Sequence, residues 1–401
     1  MTDKPSLDDF YKETSKSISR STGFDIDLTS QETAKEIKRI PTGIFTLDRA
    51  LMGGFPMSKL SMVAGAYHSC KTSVMCKLAA QAQRKYPDRA VVFFDMEDHL
   101  DLNKVKDHGV DLSRFKVLKL ISAGQVTDAI RDMLDDFASN ISLILVDSLT
   151  SMSDIRMMES KKGGDGHHIA NISMPISKFL NFLEPSLRAA EGRGEIAPAV
   201  VCANHYRVNM DAGLYGPKVK LAGGDIPNQR SYLTLMMDKV KTADHLPQYD
   251  ETNEEHSFIT IRAKIHKCKL DVNPPKSVDF SMCIGANQFL PPAAIDQTPL
   301  LKLLIKHGLL SRSRKDITFK ELPDIPRLKV LDGMVFDMRE DIQRFLIANL
   351  DVKEALESVL IQEYRVSKGK PATNSSEDFL MYWLNETIQN TEEEKEHDEV
   401  A

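Results

Sequence analysis

Cysteine is scarce in this chain and never closely paired. Its five residues, Cys70, Cys76, Cys202, Cys268 and Cys283, form no C-x-x-C motif, and three of them fall inside strand-like apolar runs. Neither a disulfide framework nor a zinc site is therefore expected, and a reducing, intracellular compartment follows. No apolar run approaches the length of a membrane span, and the polar amino end MTDKPSLDDFYKETSK gives no expectation of a signal peptide. Internal repeats are absent. Excess positive charge is missing too: 52 Lys and Arg against 58 Asp and Glu leave a net charge of −6, which on totals argues against a nucleic-acid binder. That sum is skewed by the run Glu392 to Glu399, EEEKEHDE, a solvated acidic tail, so the body of the chain is closer to neutral.

What remains is ordinary for a globular protein: 401 residues, 42% hydrophobic and 27% charged, enough for one large α/β domain with smaller additions. The stretch Leu60 to Thr72, LSMVAGAYHSCKT, organises the rest. Leu60 to Ala64 read as a buried parallel strand that runs into Gly65, then Ala66, Tyr67, His68, Ser69 and Cys70, and then Lys71, Thr72 and Ser73 at the mouth of a helical pattern. This is a phosphate-binding loop in outline. Backbone N–H groups at a helix N-terminus would wrap an anion, Lys71 would reach its phosphates, and the Thr72 hydroxyl would ligate Mg²⁺. Cys70 stands where the motif has its second glycine, and its Cβ must fit an ordinary conformation or cost about 1 kcal/mol or more of strain. A thiol at a helix N-terminus beside Lys71 is expected to have a lowered pKa.

Ahead of the loop, IPTGIFTLDRALMGGFPMSK carries a Pro-Thr-Gly turn, a helical pattern at Leu47, Ala50 and Leu51, and a Gly-Gly turn. Behind it, Lys71 to Lys85 reads as a helix. Apolar strands follow at Ala90 to Asp95, at the end of Val105 to Leu120, at Ile141 to Asp147 and at Ala199 to Asn204, with helical spacing at Ile130, Met133, Leu134 and Phe137 between two of them. Continuous apolar strands alternating with helices predict a parallel sheet covered on both faces, with ligands at the carboxyl ends of its strands. Tyr232 to Lys241, Phe258 to Lys267 and Ser277 to Ile284 read as an antiparallel extension. From Pro299 onward the periodicity is helical. The expected division is an arm at 1–38, an α/β core at 39–290, a small helical C-terminal domain at 291–390 and an acidic tail at 391–401.

Polar residues at the strand ends converge on one expected nucleotide. Asp147 closes an apolar strand, where an acid can hold the Mg²⁺ shell. Glu97 follows the second strand, where it can polarise a water as general base, although beside Asp95 and Asp98 it also reads as a solvated acid. Asn204 and His205 follow the fifth strand and can sense a phosphate through hydrogen bonds, or be structural.

The ordered set IPTGIFTLDRALMGGFPM, FFDMEDHLD with GVDL, LVDSLTSM, ANH and AGGD resembles the RecA recombinase family, nearest the phage UvsX-type members, over roughly residues 38 to 290. The resemblance implies a RecA-like P-loop ATPase core using ATP and Mg²⁺, with Lys71 and Thr72 on the phosphates and Mg²⁺, Asp147 in the Mg²⁺ shell, Glu97 as catalytic carboxylate, Asp101 at the adenine and His205 near the phosphates. It also implies two DNA-contacting loops. The first, Asp154 to His168, offers Arg156, Met157, Met158, Lys161 and Lys162; the second, His205 to Gly224, offers Tyr206, Arg207, Tyr215, Lys218, Lys220, Gly223 and Gly224. Both mix glycine with cations for phosphates and with Met, Tyr or His for bases, and either can also be read as a plain surface loop. Lys267 and Lys269 stand where the family places a lysine pair that crosses to the neighbouring subunit's ATP. Alternation along RAKIHKCKL puts Ile265, Lys267 and Lys269 on one face of a strand, which is also the pattern of a solvated edge.

The resemblance departs from bacterial members at Cys70 and at His205, where they have Gln, and from the family's adenine-stacking Tyr, which is Lys104 here. It implies a cytoplasmic, DNA-dependent ATPase, in the host cytoplasm if phage-encoded. Such a protein would form homo-oligomeric filaments on single-stranded DNA, engage double-stranded DNA for strand exchange, and work with single-strand-binding and mediator proteins. Two rivals share the same motifs: a ring helicase on the same core, and a non-catalytic mediator that binds ATP as a clamp.

Overall fold

The computed structural model describes residues 6–22, 37–152, 168–208, 219–240, 258–270, 273–283, 285, 290–313 and 316–369. Its centre is an eight-stranded sheet in the order Ser277–Cys283, Phe258–Cys268, Leu233–Lys239, Leu60–Gly65, Ala199–Asn204, Ile141–Asp147, Ala90–Asp95, Phe115–Leu118. The last six of these run parallel, and the first two join antiparallel. Strand alternation divides the core between two faces. Val63, Val91, Phe93, Leu143 and Leu145 pack under the Lys71–Lys85 helix. Met62, Val92, Phe94, Ile144 and Val146 pack under the helices Ala123–Asp136 and His168–Gly192.

Three departures from the sequence expectations have local causes. Leu233–Lys239 pairs parallel to the P-loop strand, Leu233 opposite Ser61, because a crossover containing a ribbon and the short helix Ile226–Arg230 brings the chain back. His168–Gly192, a stretch given no element by periodicity, is a 25-residue helix containing Pro175 and Pro185, residues that ordinarily argue against a helix interior. Finally, the register shifts between Thr234 and Leu235, which face Lys267 and Ile265 respectively. The resulting bulge at His266 inserts one residue and reverses the alternation. Ile265 and Cys268 pack on the P-loop-helix core, whereas Lys267 lies on the opposite face, so the single-face arrangement of Ile265, Lys267 and Lys269 is not what the chain adopts.

Beyond Pro299 the expected helices are present at Thr298–Lys306, Arg339–Ala348 and Leu350–Ser367. With them comes a three-stranded antiparallel sheet, Leu310–Arg312, Ile317–Phe319 and Val335–Phe336, whose strands are too short to show alternation in the sequence. These elements share their own apolar cluster, into which Phe45 inserts from the other side. The Leu350–Ser367 helix is tied to the P-loop helix by Arg84, which meets Asp351 and Glu354 at 2.8 Å each. Among the described residues no helix is long and apolar enough to cross a membrane. The tail at 391–401 lies outside the described residues.

Candidate nucleotide site and its link to a loop

The P-loop strand ends at Gly65, and there the need for glycine is steric. A Cβ at this position would stand 2.6 Å from the Met237 carbonyl oxygen and would also strike the Ser69 hydroxyl. The loop then closes on itself, with the Ser69 hydroxyl donating to the Ala66 carbonyl at 2.8 Å. His68 and Cys70 take positive φ, 59° and 60°, the second immediately before the helix at Lys71. A left-handed Cys70 costs about 1–2 kcal/mol relative to the right-handed region, so this position keeps glycine's conformation without glycine. Its thiol is not activated. Burial outweighs the nearby Lys239 and Lys71 cations and pushes it up to about 11, which overturns the lowered value expected from the helix end alone.

Lys71 is buried, its ammonium donating to the carbonyls of Gly65 at 3.2 Å and Ala66 at 2.9 Å. Burial lowers its pKa, with Asp147 and Glu97 opposing. Thr72 donates its hydroxyl to Asp147 Oδ2 at 2.6 Å. Burial likewise pushes the Asp147 carboxyl above its ordinary range, against the Thr72 hydrogen bond. Hard oxygen donors side by side at the helix mouth suit Mg²⁺, so Thr72 and Asp147 fit the ion assigned to them. Ser73 bonds the Cys70 thiol inside the first turn.

Glu97 reaches the same place from the neighbouring strand. Its loop hangs on Asp95, a buried carboxylate that accepts from the N–H groups of Glu97, His99 and Leu100 at 3.2–3.4 Å. The Glu97 carboxylate accepts from Ser148 at 2.6 Å and Ser151 at 3.0 Å, and His205 Nε2 stands 3.7 Å away. Burial alone would raise this carboxyl, but the Ser148 and Ser151 hydrogen bonds, with His205 and His99, hold it below its ordinary value. The peptide between Asp147 and Ser148 is cis.

His205 in turn carries the Tyr67 ring, centroid to centroid 4.7 Å, and hydrogen-bonds the Gly65 backbone. Burial and Lys71 lower its imidazole pKa. The chain continues into an antiparallel ribbon, Tyr206–Val208 against Val219–Leu221, in which Arg207 faces Lys220. The base of the ribbon is fixed: Ala222 N–H donates to the His205 carbonyl at 2.9 Å, and the Asn204 amide donates to the Ala222 carbonyl at 3.1 Å. Gly223 follows at φ 93°, where a Cβ would press on Ile176 at 3.0 Å, and Gly224 follows at φ 77°.

The remaining expected site residues fall elsewhere or beyond reach. Tyr206 turns inward, donating its hydroxyl to Asp238, and burial with that carboxylate pushes it up to about 12. Asp101 caps the Leu102–Asp107 helix by accepting from Asn103 N–H at 2.9 Å, with Lys104 exposed one turn on. Lys267 donates to the carbonyls of Asn228 and Gln229 at the end of the short helix, and Lys269 is exposed. Lys267 is level with Thr234 and Met62, three residues or about 10 Å back along the sheet from the Gly65–Met237 pair. It therefore sits at the end of the strand away from its own P-loop. Arg156, Met157, Met158, Lys161, Lys162, Tyr215 and Lys218 lie outside the described residues. The residues missed in the sequence are Asp95, Ser148 and Ser151, common types whose roles come only from their contacts.

Known proteins resemble this chain over most of its length. The chain is 26% identical over 307 residues to Protein RecA of Campylobacter lari, covering 76% of this chain and 82% of that protein. It is 25% identical over 283 residues to Protein RecA of Francisella philomiragia subsp. philomiragia, covering 70% and 72%. Protein RecA of Francisella tularensis subsp. novicida gives 25% over 283 residues, covering 70% and 73%. The family model described as RecA N-terminal domain matches residues 11–286, well over half the sequence and including every residue that builds the site, and on that match the chain belongs to the RecA recombinase family.

Proposed function

We propose that this RecA-type recombination protein binds ATP at the P-loop, polymerises as a filament on single-stranded DNA, hydrolyses ATP in a DNA-dependent manner and promotes strand exchange with double-stranded DNA. Support comes above all from one juxtaposition: His205 faces Glu97 at 3.7 Å and is also the first residue of the segment proposed to touch DNA. In this reading Lys71 binds the phosphates, with Gly65 to Ser73 forming the cradle, and Glu97 orients and deprotonates the attacking water. Thr72 and Asp147 would hold Mg²⁺, which when bound would neutralise developing phosphate charge. Arg207, Lys220, Gly223 and Gly224, with Arg156 to Lys162, Tyr215 and Lys218, would serve the two DNA loops. Tyr206, turned onto Asp238, would act from the ribbon's base. Likeness to the phage UvsX-type members, a cytoplasmic location in a host cell, and dealings with single-strand-binding and mediator proteins belong to the same proposal.

ATP turnover measured with and without single-stranded DNA, together with particle size as DNA length varies, tests this. Stimulated turnover with particles that lengthen with the DNA is expected. A closed hexamer of fixed size would point instead to a ring helicase, and binding without turnover to a mediator.

A further inference from the structure

Glu97 presents its two carboxylate oxygens to unlike surroundings. Oε1 accepts from Ser148 at 2.6 Å and from Ser151 at 3.0 Å, with His205 Nε2 at 3.7 Å from the same atom. Among the described residues the one side-chain partner of Oε2 is His99 Nδ1 at 3.9 Å, on a side chain that is 83% exposed. A carboxylate oxygen offers about two lone-pair sites. Two hydroxyl donors take up both on Oε1, so a proton arriving there has to displace one of them, whereas Oε2 keeps its acceptor capacity.

The direction of each hydrogen bond follows from counting protons. A serine hydroxyl has one to give, and Ser148 spends its proton on Glu97. The 2.6 Å contact between Ser148 Oγ and Thr150 Oγ1 is then a donation from Thr150, and the chain Thr150 to Ser148 to Glu97 polarises each successive donor. All three hydroxyls come from the segment directly after Asp147, whose 3₁₀ turn spans Leu149–Ser151. That segment ends the strand paired with the one that leads to Glu97. Asp95 fixes the backbone of the Glu97 loop and the hydroxyls fix the carboxylate.

We infer that Ser148 and Ser151 are positioning residues that hold Glu97 through Oε1 and leave Oε2 as the oxygen that takes the proton of the hydrolytic water. The inference rests on the proposed ATP hydrolysis with Glu97 as base. In that step one water O–H bond breaks and its proton goes to Oε2. The water oxygen bonds to the attacked phosphorus, and the phosphoanhydride bond opposite it breaks, its electron pair leaving on the bridging oxygen. The proton then passes to the released products.

Ser151→Ala is the cleaner variant, because Ser148 adjoins Asp147. It should lower kcat tenfold or more while KM and the affinity for a non-hydrolysable ATP analogue stay within about twofold, since only placement of the base is lost. Ser151→Thr, which keeps the hydroxyl, should stay within about threefold of the parent. In single-turnover assays on a Glu97→Gln background, Ser151→Ala should have no further effect, because the carboxylate it orients is gone. An unchanged kcat, an equal loss in the Glu97→Gln background, or loss of analogue binding along with turnover would each overturn the inference. Hydrolysis at the parent rate by Glu97→Gln alone overturns instead the reading on which it stands.

Discussion

His205 Nε2 lies 3.7 Å from Glu97 Oε1, while the His205 carbonyl accepts from Ala222 at the far side of the ribbon. One residue thus lies beside the Glu97 carboxylate, the proposed base, and at the foot of the ribbon Tyr206–Val208 and Val219–Leu221. If DNA engages this ribbon as proposed and shifts it against these bonds, the imidazole moves relative to Glu97.

His205→Ala should therefore keep basal ATP turnover within a few-fold and lose most stimulation by single-stranded DNA. The ratio of turnover with and without DNA measures this, and an unchanged ratio would refute the coupling. A second consequence concerns pH. Burial and Lys71 lower the imidazole pKa, so the folded protein binds fewer protons here than the unfolded chain between that value and about 6.5. Stability from this site consequently rises with pH through the window and is constant above it. Thermal melts from acid to neutral pH should show that slope in the parent, and a smaller one in His205→Ala.

Glu97→Gln preserves shape while removing the proposed base. Turnover should fall by a factor of about 10² or more, with ATP affinity intact, because the cradle from Gly65 to Thr72 does not involve Glu97. If hydrolysis provides the release step, DNA affinity in the presence of ATP should hold or rise. Parent-rate hydrolysis would make Glu97 a surface acid that happens to be hydrogen-bonded.

Much of the architecture was legible because parallel strands buried on both faces are written as continuous apolar runs. Ala90–Asp95, Ile141–Asp147 and Ala199–Asn204 end where such runs end. The helix at His168–Gly192 was not, since Pro175 and Pro185 interrupt the signal that residue types give. The grip on Glu97 was equally hidden: Ser148 and Ser151 lie 51 and 54 residues away in sequence, and a serine carries no mark of what it will touch. The bulge at His266 shows the reverse case, in which a clean alternation was present and one inserted residue cancelled it.

Cys70 offers a direct probe of the loop. With its thiol pushed up to about 11 by burial, very little is thiolate at pH 7.5, so alkylation should be slow and should accelerate as pH rises towards that value. ATP with Mg²⁺ should slow it further by covering the loop. Rapid labelling of Cys70 at pH 7.5, mapped by peptide mass, would contradict the burial that sets the thiol here. Equal labelling with and without nucleotide would contradict the placement of phosphate in this loop.

Lys267 and Lys269 are the residues whose proposed role depends most on a second copy of the chain. Lys267 lies about 10 Å back along the sheet from its own Gly65, on the face opposite Ile265, and its ammonium rests on the Asn228 and Gln229 carbonyls. Lys267 and Lys269 lie at one end of the strand Phe258–Cys268, and burial, then Lys269, lowers the Lys267 pKa. Nothing in this arrangement serves the chain's own P-loop, whereas cations supplied in trans contribute factors of about 10³ to 10⁵ in other phosphoryl-transfer enzymes. The double variant Lys267→Ala, Lys269→Ala should bind ATP as a monomer and lose DNA-stimulated turnover. Mixed with Lys71→Ala protein, whose own loop is disabled but whose lysine pair is intact, it should regain part of the activity at mixed interfaces. The amount should peak near equal proportions, where such interfaces are most numerous. Absence of rescue while the two proteins co-assemble on DNA would reject a shared site and leave Lys267 as a structural cap on the Ile226–Arg230 helix.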